Sequence, residues 1–127
     1  MTENSEDFEY QKYEDYVKGL DMFQDVGTDQ DTIPEGFGEF GLELTNPIPV
    51  HTIIGNRVYL DKLRTLDGKK VEYERQGSTH CGNIKNCIDI YNITVESIFV
   101  AKLYISPYNR KNSERAPKGF ILASSSE

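Results

Sequence analysis

The 127-residue chain has no tryptophan, only two cysteines and two methionines, and no long apolar run. A helix that spans a bilayer needs about 20 consecutive apolar residues, which this chain does not contain. The first seven residues also lack the basic and apolar stretches of a secretory signal peptide. These absences predict a cytoplasmic protein without membrane contacts, and a disulfide is not expected in that reducing compartment.

Basic residues are scarce in the first third of the chain. Residues 1–43 contain 13 acids and 2 bases, a net charge of −11, whereas the remaining residues contain 12 bases and 8 acids, a net charge of +4. Hydrophobic residues make up 37% of the chain and aromatic residues 11%, which is enough to fill one ordinary core. Length and composition therefore predict one acidic globular domain, and they argue against both a wholly disordered chain and a multidomain enzyme.

The single domain, residues 1–127, divides by composition into an acidic helix and loop, a β-rich body and a frayed tail: 1–39, 40–122 and 123–127. Spacings of three and four predict a helix from Phe8 to Phe23, with an apolar stripe of Tyr10, Tyr13, Val17 and Leu20. Such a short helix needs tertiary packing, so the stripe is predicted to lie on a sheet. The Asp-, Gly- and Thr-rich stretch from Asp25 to Glu39, with Pro34, is predicted to be a loop.

The rest of the chain is predicted to form β-strands. Apolar alternation and β-branched residues indicate strands at Phe40–Leu44, Val50–Ile54, Arg57–Leu66, Lys70–Arg75, Cys87–Thr94, Ile98–Ile105 and Phe120–Leu122. Asp67-Gly68 suits a type I′ hairpin turn between the third and fourth of these strands, and Gln76–Asn86 is predicted to be a loop. The predicted fold is α+β, with an N-terminal helix packed on one face of an antiparallel sheet of about five strands.

Two motifs match known ligand sites only by their letters. Gly36 to Gly41 spells the G-x-G-x-x-G dinucleotide fingerprint, but no strand precedes it and no helix follows it, so Phe37 and Phe40 are instead predicted to lie in the core. Four acids, Asp25, Asp29, Asp31 and Glu35, resemble a cation loop. Counting from Asp29 places Pro34 where an EF-hand requires glycine, so a solvated acidic loop is expected.

His51, His80, Cys81 and Cys87 contain the atoms that bind zinc. The five residues between the cysteines exceed the usual spacing, and a second matching pair is missing. His80-Cys81 is alternatively a thiol beside its base, although neighbours on an extended chain point to opposite faces. No metal, cofactor or catalytic residue is therefore assigned.

One segment concentrates positive charge near the C-terminal end. Its bases are candidate anion-binding residues: Arg110, Lys111, Arg115 and Lys118. The acidic net charge and the absence of a nucleic-acid-binding signature argue against nucleic acid as a partner. The segment is thus interpreted as a solvated loop, a protein contact, or the counterpart of the chain's own acidic segment.

Several short segments resemble a group of small uncharacterised bacterial proteins. They are Thr45-Asn46-Pro47-Ile48-Pro49-Val50, Tyr59-Leu60, Leu63-Arg64-Thr65, Ile88-Asp89-Ile90-Tyr91 and Arg110 to Phe120, which ends in Ala-Pro-x-Gly-aromatic. The resemblance covers Phe40 to Phe120. It implies a bacterial, cytosolic setting, and it assigns neither an activity nor functional residues.

Two function classes remain from the sequence. The first is a non-catalytic protein-binding domain, of inhibitor or immunity type, whose acidic surface meets a basic protein. Its candidate partner-binding residues are Glu9, Glu14, Asp15, Asp21, Tyr13 and Tyr16. The alternative is a small hydrolase or anion-ligand-binding protein that uses His51 or His80 together with Arg110 or Arg115.

Overall fold

The computed structural model describes residues 27–123, so the predicted helix Phe8–Phe23 lies outside the described residues. In chain order the elements are β1 (Ile48–Pro49), α1 (Thr52–Lys62), β2 (Leu63–Thr65), β3 (Glu72–Cys81), β4 (Ile84–Val95), β5 (Ile98–Ser106) and β6 (Phe120–Leu122). Within this range no helix has the length and apolar character needed to cross a membrane.

Four strands form the main sheet, in the order β1-β5-β4-β3. The two long hairpins are antiparallel, whereas β1 joins β5 in parallel over only two pairs, Ile48 with Ile105 and Pro49 with Ser106. A separate two-stranded sheet pairs β2 with β6. The predicted α+β class is confirmed. The strands form a sheet of four and a separate sheet of two, however, and not one sheet of about five.

Helix α1 occupies a region that was predicted to be extended, so the strands predicted at Val50–Ile54 and Arg57–Leu66 are wrong over most of their length. The buried residues of α1 recur at helical spacing: Thr52, Gly55, Asn56, Tyr59 and Leu60. Two of these buried positions, Gly55 and Asn56, are not apolar. A search for apolar residues at helical spacing therefore does not detect this buried face, and the β-branched residues nearby favour a strand.

The N-terminal turn of α1 is held by a distant loop as well as by its own Thr52 hydroxyl, which accepts a hydrogen bond from the Gly55 N–H at 3.3 Å. The Asn112 side chain accepts a hydrogen bond from the His51 N–H at 2.8 Å and donates one to the Gly55 carbonyl at 3.0 Å. The Thr52 N–H donates to the Pro107 carbonyl at 2.8 Å. The Thr52 N–H is one of the backbone groups that a helix start otherwise leaves without a partner, and the Asn112 side chain joins this start to the loop after β5.

The core lies between α1 and one face of the main sheet. Its fully or nearly buried members are Phe40, Ile48, Val50, Tyr59, Leu60, Leu63, Val71, Tyr91, Ile93, Leu103 and Ile105. The predicted burial of Phe40 is confirmed, but Phe37 is 61% exposed and its predicted burial is wrong. The strand predicted at Phe40–Leu44 is also wrong, because this stretch forms turns, with the Leu42 N–H bonded to the Glu39 carbonyl at 3.1 Å.

A turn forms at Asp67-Gly68, but it is neither the predicted type nor the predicted hairpin. A type I′ turn needs a positive φ at both of its central residues. Gly68 has a φ of 92°, but the φ of Asp67 is not positive, so this turn is not of type I′. The chain reverses through a bond from the Gly68 N–H to the Thr65 carbonyl, and the two sides meet at an Arg64–Lys70 bridge and through a bond from the Thr65 N–H to the Lys69 carbonyl at 2.9 Å. On the return arm Val71 is buried while Glu72 and Glu74 are exposed.

Strand β3 ends later, and strand β4 begins earlier, than the sequence indicates. Gln76–Asn86, predicted to be a loop, instead contains the end of β3, a two-residue turn and the start of β4. Its polar residues form strand because the ladder with β4 satisfies their backbone groups. The strands predicted at Cys87–Thr94, Ile98–Ile105 and Phe120–Leu122 are confirmed.

Candidate protein-binding surface

The β4–β5 hairpin ends in a two-residue turn that the sequence did not predict. Both turn residues have positive φ, 53° at Glu96 and 69° at Ser97, which is the requirement of a type I′ turn. This turn matches the natural twist of the flanking strands, so Val95 and Ile98 pair directly at its base.

Directly after this turn, three consecutive large apolar side chains face solvent. The exposed fractions are 68% for Ile98, 57% for Phe99 and 47% for Val100. The apolar run Ile98–Val100 is named here the hairpin patch. A soluble domain normally avoids several adjacent exposed apolar residues unless they have a function.

A β-bulge accounts for the position of Val100, whereas Ile98 and Phe99 pair regularly with Val95 and Thr94 and so lie on opposite faces of the hairpin tip, where both are exposed. Phe99 lies opposite Thr94 and Ala101 lies opposite Ile93, so Val100 is the extra residue of β5. A bulge breaks the alternation of faces at the extra residue. Beyond the bulge, Leu103 and Ile105 return to the core.

The hairpin patch lies on a strand edge that is mostly uncovered. Strand β1 pairs only with Ile105 and Ser106, and the Tyr104 N–H donates to the Gly41 carbonyl at 2.9 Å. Over the part of the chain that the structure describes, no strand pairs with the outer edge of residues 98–103. Apolar side chains and an open backbone edge thus occur at the same place.

The charges around the hairpin are mixed. Glu96 in the turn pairs with Lys69 at 3.5 Å, and Glu72 on β3 accepts a hydrogen bond from Thr94 at 3.2 Å. Both contacts are exposed, and exposed ion pairs typically contribute less than about 1 kcal/mol. These two exposed contacts therefore contribute little to the stability of the hairpin.

A buried polar cluster lies between α1 and strands β3 and β4. The fully buried Asp89 accepts hydrogen bonds from Asn56 at 2.8 Å and from Arg75 at 3.1 Å. Asn56 also donates to the Tyr91 hydroxyl at 3.2 Å, and burial raises the pKa of Tyr91, with the nearby Asp89 charge adding to the shift. The cluster joins α1 to the sheet, which indicates a structural role.

The six partner-binding residues predicted from the sequence all lie outside the described residues: Glu9, Glu14, Asp15, Asp21, Tyr13 and Tyr16. They remain predictions. The hairpin patch was not predicted as a site, although one sequence signal marks it. Three apolar residues in a row follow a turn, where a strand with one wet face shows alternation.

The four candidate anion-binding residues do not share one described site. The Arg115 guanidinium lies 4.8 Å from the centre of the Phe40 ring, a cation–π contact. Lys111 lies 4.0 Å from the Asp31 carboxylate, and the Arg110 N–H donates to the Thr28 carbonyl. Lys118 is exposed in a turn. Part of this basic segment thus contacts the chain's own acidic segment.

The two histidines lie in different settings. The His51 Nδ1 atom lies 2.7 Å from the Asn109 carbonyl, in a partly buried position. The His80 Nε2 atom lies 3.5 Å from the Cys87 sulfur across strands β3 and β4, whereas the Cys81 thiol donates to the Asn83 side chain. In residues 27–123 no group of three His, Cys, Asp or Glu side chains forms a potential metal site.

Two open clefts lie away from these residues. One of about 460 Å³ is formed by the segments around Thr28, Pro34, Ile84 and Tyr108, and one of about 300 Å³ by those around Tyr59 and Asn112. Neither cleft is lined by a histidine, an arginine or a cysteine. The anion site proposed for the alternative function is therefore not formed by either cleft.

Comparisons with protein-family models, with curated proteins and with solved structures found no match to this chain. The resemblance of residues 40–120 to uncharacterised bacterial proteins stays a prediction. Any functional assignment thus depends on the residues described above.

Proposed function

We propose that this chain is a non-catalytic protein-binding domain, of inhibitor or immunity type, whose partner is a protein with a basic surface. The observation that carries the proposal is the hairpin patch, Ile98–Val100, with exposed fractions of 47% to 68%. Burying a large apolar side chain contributes roughly 1.5–3 kcal/mol, so three such residues can anchor a complex. A bacterial, cytoplasmic setting is the part of the proposal that rests on the resemblance.

The net charge of −7 supports a basic partner. Opposite net charges steer two proteins together, raise the association rate and make that rate depend on salt. Apolar contacts respond little to salt. The proposal therefore assigns the affinity of the complex to the hairpin patch. It assigns the fast, salt-dependent association with a basic partner to the chain's excess of carboxylates.

A matched pair of variants tests this assignment. I98S/F99S/V100S removes the hairpin patch, and I54S/V58S removes two apolar side chains that are 44% and 43% exposed on α1. Each variant is immobilised beside the wild type, and captured proteins from the native host are identified and then purified for binding measurements. We expect a directly binding basic partner whose affinity falls at least tenfold with the patch variant and less than twofold with the helix variant.

Three results would contradict the proposal: no direct partner, equal losses with both variants, or an association rate that does not change with salt. Circular dichroism and urea unfolding of both variants establish that the exposed substitutions leave the fold intact. Because the substituted side chains lie outside the core, we expect both variants to fold.

One contact favours thiol chemistry as a second candidate function. The His80 Nε2 atom lies 3.5 Å from the Cys87 sulfur, which is the arrangement of a nucleophile beside its base. We expect iodoacetamide to alkylate Cys87 faster than Cys81, and H80Q to slow the reaction at Cys87 several-fold. Peptide mass spectrometry measures both rates in the same sample. Equal rates at the two cysteines, unaffected by H80Q, would exclude this candidate.

A further inference from the structure

We propose that the outer edge of β5 binds an extended segment of the basic partner protein as an added β-strand. The inference rests on the proposed protein-binding function and names its mode of recognition. In this mode, backbone hydrogen bonds along the edge provide affinity, and side chains at alternate positions provide specificity.

The edge is open where the hairpin patch lies. Strand β5 spans Ile98–Ser106, but its outer neighbour β1 reaches only Ile105 and Ser106. Unpaired backbone groups on an edge strand form a template for another chain, and proteins usually shorten or cover such edges. Here about two-thirds of β5 is uncovered by the residues that the structure describes.

The same edge already accepts a strand from this chain. Strand β1 pairs with it in parallel, and Gly41 accepts a hydrogen bond from the Tyr104 N–H at 2.9 Å. Because backbone N–H groups in a strand alternate in direction, the Lys102 N–H points to the same outer side as that of Tyr104. The bulge at Val100 lies beyond both residues, so it does not alter this alternation.

The chemistry of the edge selects its occupant. Ile98, Phe99 and Val100 require apolar side chains on the incoming segment. Residues 27–123 contain 12 acids and 12 bases, so the net charge of −7 comes from the rest of the chain, and this overall charge repels a second copy and attracts a basic partner.

Position 102 offers a matched pair of variants for testing strand addition. K102P deletes the outward backbone donor, and proline is tolerated at an edge where its nitrogen faces solvent. K102A removes the same side-chain charge but keeps the N–H. The probe is an amidated peptide, Lys-Val-Lys-Ile-Lys-Val-Lys, with fluorescein attached to its N-terminus, whose binding is measured by fluorescence anisotropy. Amide hydrogen exchange of the wild type, with and without peptide, reports directly on the Lys102 N–H.

We expect K102A to bind the peptide within threefold of the wild type and K102P to bind at least tenfold more weakly. In the wild type, the peptide should slow exchange at Lys102 at least tenfold. This second readout decides the proposal even where K102P does not fold.

Equal binding by K102A and K102P, or unchanged exchange at Lys102, would overturn strand addition. If I98S/F99S/V100S nevertheless loses the partner captured from the host, the protein-binding function stands and only its mode is wrong. A wild-type dimer in sedimentation that K102P dissociates would assign the edge to a second copy, and it would also overturn the proposal.

Discussion

Asp89 shows how one buried charge constrains its neighbours. Its carboxylate has no exposed surface and receives hydrogen bonds from Asn56 on α1 and Arg75 on β3. An ionised carboxylate is costly to bury unless it is paired and hydrogen-bonded. Losing one partner of such a pair typically costs about 3–5 kcal/mol, so the cluster specifies how α1 sits on the sheet.

Tyr73, beside this cluster, predicts a dependence of stability on alkaline pH. Its hydroxyl donates to Asp61 at 2.7 Å, and partial burial together with this carboxylate raises the pKa of Tyr73 from 10.0 to about 12. A pKa raised by folding gives stability that is complete below about pH 10 and is lost as the pH rises through about 12.

We therefore expect Y73F, which cannot ionise, to lose less free energy of unfolding over this pH range than the wild type loses. Urea unfolding at a series of pH values measures the difference. The pKa values of Tyr59 and Tyr91 are also raised by burial, so some slope remains in the variant. Identical slopes in the two proteins would show that Tyr73 is not responsible.

At the scale of elements, α1 depends on a cap from the loop after β5. The Asn112 side chain accepts a hydrogen bond from the His51 N–H and donates one to the Gly55 carbonyl. The Tyr59 hydroxyl donates to the Arg115 carbonyl in the same loop. The helix has 11 residues, a length that is marginal in isolation. Tertiary contacts, and not helix propensity, hold this element.

Gly55 predicts a reversal of the usual effect of glycine replacement. Gly→Ala inside a helix normally stabilises it by about 1 kcal/mol. A Cβ at position 55 would lie 2.6 Å from the Asn112 Oδ1 atom and would displace the side chain that caps the helix. We expect G55A to destabilise the protein by about 1–2 kcal/mol, the cost of disturbing these hydrogen bonds.

A double-mutant cycle with N112A separates the two effects of G55A. Without the Asn112 side chain the clash is absent, so G55A should be neutral or stabilising in the N112A background. Urea unfolding of the wild type, both single variants and the double variant supplies the four free energies. Stabilisation of the wild type by G55A would show that Asn112 is not displaced.

At the scale of the whole molecule, the described part of the acidic segment folds against the basic loop mainly through hydrogen bonds. Asp31 accepts from the Glu114 N–H at 2.9 Å through its side chain and from the Ser113 hydroxyl at 2.7 Å through its backbone. Thr28 and Asn109 add a bond of 3.0 Å. The Lys111–Asp31 ion pair, at 4.0 Å, is long and half-exposed.

Two variants test which of these contacts matters. We expect D31A to destabilise the protein by about 1 kcal/mol, because the Glu114 N–H loses its acceptor. K111A removes only an exposed ion-pair partner and should change stability by less than about 0.5 kcal/mol. Thermal unfolding at low and high salt gives both values. A larger loss for K111A, weakened by salt, would assign the contact to charge instead.

Local patterns predicted the elements whose environment is regular. Cys87–Thr94, Ile98–Ile105 and Phe120–Leu122 form strands because alternation and β-branched residues are properties of neighbours in the chain. α1 was missed because its buried stripe contains Gly55 and Asn56, which only a close sheet and the Asp89 carboxylate make suitable for a core position. The start of β4 was missed because a polar strand is recognised by its partner and not by its own residues.

By itself, therefore, the sequence determined the α+β class, the uneven distribution of charge, and the strands whose pattern repeats every two residues. The tertiary structure alone decided where α1 lies, since its cap comes from Asn112, 61 residues along the chain from His51. It also decided that His80 meets Cys87 and that a bulge at Val100 follows the exposed Ile98 and Phe99. Strand register sets these contacts, and register depends on pairing between segments that are separated in the sequence.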